Sequence, residues 1–184
     1  MFNQTTYADI TMLIENVSLP AHRFVVCPQS SYLEEACHQA FSRDEQTLHC
    51  DQGSGAAYWR IFEYLYTGNY SDSLQKIDLE EDPSLIKHLR VYALADMFGV
   101  GDLKTMSMDR LKRETSERWN SDLFVASIEE VYQSGVKFPL TLRSDLLDVA
   151  AMHVHDITAK DDFRSLVYRG GDFVVEYVER LLRL

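Results

Sequence analysis

His22 stands in the run VSLPAHRFVV, residues 17–26, where a proline, a histidine and an arginine interrupt apolar residues. Cys27 follows it closely, and Asp9 precedes it on a stretch that reads as a neighbouring strand. A thiol, an imidazole and a carboxylate are the parts of a nucleophile, a base and an orienting acid. Cys37-His38 and His49-Cys50 add more such atoms, and a zinc site could be assembled from the same residues. Structural zinc, however, takes paired ligands at short fixed spacing, and Cys27, Cys37 and Cys50 show no such pairing. No activating group accompanies any cysteine, and a lone cysteine or histidine is far more often a packed residue than a reactive one. A small thiol enzyme is therefore the weakest reading. The expectation is no enzyme activity, no cofactor and no metal.

Other candidate sites reduce in the same way. In HVH, 153–155, the two histidines fall about 200° apart on a helix and cannot chelate from one face. The acidic run DLEEDP, 78–83, lacks the alternating ligands and central glycine of a calcium loop, and reads as a solvated linker. The aromatics of AYWRIFEYLY, 57–66, sit at core spacing rather than as a stacking platform for nucleic acid. Acids outnumber bases 29 to 18 over 184 residues, a net charge of −11. The densest basic run, RLKR at 110–113, is flanked by Asp109 and Glu114. Direct binding to nucleic acid or to an anionic membrane draws on Lys and Arg, so neither is expected. No apolar run approaches the roughly 20 residues of a membrane span, and the start MFNQTTYADI shows no export or organelle signal. Sparse, unpaired cysteines suit a reducing compartment, nuclear or cytoplasmic.

The elements that must position these residues change character once along the chain. ITMLI and VSL, separated by Glu15-Asn16, predict a β-hairpin within residues 8–23, with Pro20 ending the second strand or lying at an edge. SSYLEEACHQAF, 30–41, predicts a helix capped by Ser30 or Ser31. QTLHCD, 46–51, predicts a further strand in the same sheet. A helix then follows QGSG, carrying Trp59, Phe62, Leu65 and Tyr66, and stops at Gly68. Beyond the linker at 71–83 only helical periodicity remains: 84–100, 100–115, 122–135, 142–157 and 172–184. The fold class is α+β with helix in the majority, a small sheet flanked by helices and followed by a helical extension.

The run AHRFVVCPQSSYLEEACHQAF resembles the signature of the BTB/POZ domain, matched at His22, Arg23, Val25, Val26, Ser30 and Leu33. YADITMLI, with Asp9, is similar to that family's opening strand. FEYLYTGNY, with Tyr66 and Gly68, is similar to the end of its third helix, and YALADMFGVGDLK to the helix pair that closes the domain. Four blocks stand in family order across residues 7–116. The variant with Cys27 and Ala36-Cys37 looks most like BTB proteins of filamentous fungi, and residues 117–184 resemble, more loosely, a BACK-like helical extension.

The resemblance implies a protein–protein interaction module without catalysis, usually a homodimer, that recruits partners into transcriptional or other regulatory complexes. It implies that His22 closes the strand-to-helix corner. It also implies a twofold dimer interface centred on Met12, Phe24 and Val25. MFNQTT is too short and polar for a long swapped strand, so the expected dimer has no extensive swap. The alternative role is a substrate adaptor of a cullin-type ubiquitin ligase. There a hydrophobic-x-Glu motif commonly follows the second helix, whereas FSRDEQ, 41–46, places Arg43 two residues before Glu45.

Overall fold

A computed structural model describes residues 1–75 and 77–183. The chain divides into two compact units, residues 1–82 with 90–107, and 83–89 with 108–184.

The first unit holds a three-stranded sheet. Strands β1 (Ile10–Ile14) and β2 (Val17–Ala21) form the antiparallel hairpin, turned at Glu15, whose φ is 51°. Strand β3 (Thr47–Cys50) pairs with β1 in parallel, giving the order β2-β1-β3. β2 is therefore an edge strand, which is why Pro20 is accommodated opposite Thr11 and the strand runs on to Ala21. Alternation along β1 buries Ile10, Met12 and Ile14. A single turn of helix, α1 (Arg23–Val26), passes into a 3-10 turn, Cys27–Gln29, and then into α2 (Ser31–Ser42). Ser30 caps α2 by accepting from Leu33 N–H at 3.2 Å.

Helix α3 (Gly55–Thr67) is capped by Ser54 and ends at Gly68, whose φ of 73° favours glycine. A Cβ at Gly55 would lie 2.5 Å from the Glu15 carboxylate that its own N–H bonds, so a side chain there would displace that carboxylate. One face of α3 closes over the sheet, with Ile61, Phe62 and Leu65 in the core. Phe2 packs edge-on against Trp59, with ring centroids 5.1 Å apart, so the chain's start folds onto its own core.

Helices α4 (Ser84–Phe98) and α5 (Gly101–Arg118) follow, and each contributes to both units. The described residues of the second unit form helices and connections with no strand, as the loss of period-2 patterning predicts: α6 (Asp122–Gln133), α7 (Leu140–Met152), α8 (Val154–Ile157), α9 (Asp161–Arg169) and α10 (Asp172–Leu181). Two details differ from the sequence reading. The expected helix 142–157 breaks at His153, whose ring stacks on Trp119 at 3.6 Å. The short helix α9, not foreseen, places Phe163 and Leu166 in the core of this unit.

Candidate functional site

The corner between β2 and α1 gathers the residues on which the sequence reading turned. His22 is fully buried. Its backbone N–H donates to Tyr66 Oη at 2.8 Å, and its Nδ1 lies 2.8 Å from the same hydroxyl. Nε2 lies 2.8 Å from the carbonyl of Thr6. One proton arrangement satisfies all three contacts: Tyr66 donates to Nδ1, and Nε2–H donates to Thr6. Burial pushes the Tyr66 hydroxyl above its ordinary range, which keeps it protonated and able to donate. Asp9 Oδ1 accepts the Arg23 N–H at 2.8 Å, satisfying one of the open donors of α1. Ser30 caps α2 and also donates through Oγ to the carbonyl of Phe98 at 2.7 Å. Gln29 Nε2 donates to the carbonyls of Val25 and Leu65.

This arrangement binds backbone to backbone and leaves no open position at His22. The thiols are no better placed for attack. Burial pushes the Cys37 thiol up to about 12, with the neighbouring Cys27 adding to the shift, and burial pushes Cys50 to about 12. An activated cysteine would move the other way.

The corner instead presents side chains outward. Phe24 is 63% exposed, and its ring stands 5.8 Å from that of His22. Val25 is half-buried against the core. Phe41, at the end of α2, is 70% exposed and carries the Arg23 guanidinium 5.4 Å over its ring. Met12 does not join them. It points inward from β1 and is fully buried, so its place in the expected interface is corrected: alternation along a strand sends Met12 to the core with Ile10 and Ile14.

A second polar centre was not foreseen. Arg60 is fully buried on α3. Its Nε donates to the carbonyl of Ser71 at 2.9 Å, its guanidinium pairs with Glu81, and Nη1 lies 3.8 Å from Asp82. Asp82 also pairs with Arg90 and accepts from Ser54 Oγ at 2.6 Å. Glu81 further accepts Leu74 N–H at 2.7 Å. DLEEDP is therefore no merely solvated linker: its Asp82 is buried, and its two last acids anchor the segment to α3. The signal was available in AYWRIFEYLY, where one arginine interrupts an apolar helix.

Comparison with known proteins is consistent with this geometry. The family model for the BTB/POZ domain matches residues 1–115. Kelch repeat and BTB domain-containing protein 2, from Homo sapiens and from Pongo abelii, is 22% identical over 146 residues, covering 67% of this chain. The chain spans 23% of the length of these curated relatives. Among solved structures, the BTB (Tramtrack and Bric a brac) domain of human gigaxonin is similar, with a TM-score of 0.42 and 16% identity over 56% of this chain and 76% of that one.

Proposed function

The chain belongs to the BTB/POZ domain family, a family of protein–protein interaction modules, and from that premise we propose that it self-associates through the α1 corner and recruits a regulatory protein partner, without catalysis of its own. The observation that carries this reading is Phe24: a large apolar side chain, 63% exposed, on a backbone fixed by His22, Tyr66 and Asp9. An apolar group on a rigid support is the kind of anchor on which interfaces concentrate their energy. With Met12 withdrawn, the twofold contact centres on Phe24 and Val25. We assign residues 7–116 to the BTB/POZ domain and 117–184 to a BACK-like helical extension, and the fungal pattern around Cys27 belongs to the same reading. No helix among the described residues is long and apolar enough to cross a membrane. Free Cys27, Cys37 and Cys50 support a reducing compartment, nucleus or cytoplasm.

Sedimentation at micromolar concentration tests the dimer. A mass near twice 21.3 kDa, falling towards 21.3 kDa in Phe24→Asp, supports it. A mass of 21.3 kDa that holds on tenfold concentration overturns it. Phe24 is exposed enough that the substitution leaves the fold intact, which circular dichroism checks.

A second reading, an adaptor of a cullin-type ligase, is favoured by the exposure of Phe41, which offers an apolar contact in the last turn of α2 despite the missing hydrophobic-x-Glu spacing. A pull-down with purified full-length cullin, lost in Phe41→Ala, would support that role. No capture by the unaltered chain would remove it.

A further inference from the structure

The sheet-bearing unit contains a groove that the α1 corner does not line, between the start of the chain, α3 and the segment after Gly68. Its volume is about 690 Å³, inside the ~300–1,000 Å³ range of sites that enclose a ligand. Phe2, Trp59, Leu74 and Ile77 supply apolar lining. The wall beyond α3 is pinned. Arg60 Nε donates to the carbonyl of Ser71 at 2.9 Å, and Glu81 accepts the Leu74 N–H at 2.7 Å. Glu63, on α3, accepts the Ser71 N–H at 2.7 Å and the Ser71 hydroxyl as well. A wall held at both ends has a fixed shape, so ordering it around an occupant costs little.

Glu63 is the charged group of this surface that the fold leaves without a counter-ion. Its oxygens take hydrogens from one neutral serine, and no cation pairs with it among the described residues. A carboxylate offers about four lone-pair positions, so Glu63 keeps room for an incoming donor. No described residue of the lining is a lysine or arginine. The surroundings carry the same sign. Residues 1–82 with 90–107 hold 15 acidic against 6 basic side chains, a balance of −9, whereas 83–89 with 108–184 hold 14 against 12, a balance of −2. Such a field draws positive partners in and turns acidic ones away.

We propose that this groove docks an extended basic segment of a partner protein, in which an apolar residue stands beside a lysine or arginine. The apolar side chain lies against Trp59, Leu74 and Ile77, and the cation pairs with Glu63. This surface goes beyond the proposed self-association, and it stands whether or not the chain dimerises.

The test uses the full chain and, as the probe, the capped peptide Ala-Lys-Leu-Arg-Leu-Ala. Its counterparts are Ala-Glu-Leu-Glu-Leu-Ala, acidic with the same leucines, and Ala-Lys-Ser-Arg-Ser-Ala, basic without them. Binding is followed by amide shifts in a protein NMR spectrum at neutral pH and low salt. The probe should bind most tightly of the three and shift the amides of residues 59–63 and 71–75. Glu63→Gln, which still offers Ser71 an acceptor, should weaken it by roughly tenfold, the scale of one charge-assisted bond. Gln75→Glu, at an exposed position in the lining, adds a carboxylate and should strengthen binding severalfold. Circular dichroism checks that both variants fold. The proposal is overturned if the probe gives no shifts at these residues, if either counterpart binds as tightly, or if folded Glu63→Gln binds it unchanged.

Discussion

The sheet-bearing unit and the helical unit are held together by different kinds of contact. In the first, buried polar bonds join residues distant in sequence: His22 to Tyr66, Ser30 to Phe98, Arg60 to Ser71, Glu81 and Asp82. In the second, aromatic rings pack edge-on, Phe163 against Phe173 and Tyr177 at 5.8 and 5.5 Å, while the ion pairs ride on the surface. A buried bond constrains two residue types and the backbone between them, because an unmatched partner is costly. Apolar helix faces constrain only size and period. The first unit is therefore specified by particular side chains, and the second by a pattern.

Arg60→Met is the strongest test of that contrast. It removes a fully buried guanidinium and leaves the Asp82 and Glu81 carboxylates short of their partner. Breaking one side of a buried pair costs ~3–5 kcal/mol, and denaturant unfolding should show a loss in that range. A loss below about 1 kcal/mol would show that Arg90 and Ser54 alone satisfy Asp82, and that the network is not what fixes the 71–83 segment.

The second unit also holds a buried ionisable group, and pH exposes it. His88 is fully buried, and burial pushes its imidazole down to about 4 from 6.5, against the opposing pull of the Glu114 carboxylate 3.2 Å away. Between those values the unfolded chain holds a proton that the folded chain does not. Stability from this group is thus complete above pH 6.5 and is lost as the pH falls towards 4, by up to about 3 kcal/mol over the window. His88→Gln should flatten the unfolding free energy across that interval. An unchanged slope in the variant would assign the acid sensitivity to other groups.

Two tyrosines sharpen the comparison further. Tyr66→Phe leaves both the His22 N–H and Nδ1 without a partner in a fully buried residue, an expected cost of ~1–3 kcal/mol. Tyr132→Phe in the helical unit removes a 2.6 Å bond to Glu176, but that carboxylate is 32% exposed and retains Arg143. Water can replace the hydroxyl there, and the cost should stay within about 1 kcal/mol. Equal losses at the two sites would erase the distinction.

How much was legible in the sequence follows the same division. The corner was readable because His22, Arg23 and Ser30 stand next to the strand end and helix starts they serve, and the cap chemistry is local. The hairpin and the third strand were readable from alternation, and the helical remainder from periodicity. Alternation alone did not say which face of β1 points inward, and Met12 was misplaced for that reason. The Arg60 network escaped because its partners lie 11 to 22 positions away, across a segment with no period to read. Helix α9 escaped because nine residues with two buried apolar positions make a weak periodic signal.

The smallest expected effect lies at the Arg169–Glu129 ion pair. Both side chains are partly exposed, 49% and 37%, and they join α9 to α6 across the surface of the helical unit. If that unit is specified by apolar packing, the pair contributes little: water screens it, and ordering two long side chains offsets the attraction. Arg169→Ala should cost no more than about 0.5 kcal/mol, and a double-mutant cycle with Glu129→Ala should return a coupling of ~0.2–1 kcal/mol that shrinks in molar salt. Phe163→Ala on the same helix removes a fully buried ring that packs on Phe173 and Tyr177, and should cost ~3–5 kcal/mol irrespective of salt. The ratio of those two losses measures how far α9 is held by its core face. A coupling above about 2 kcal/mol for the ion pair would place it with the buried bonds of the first unit instead.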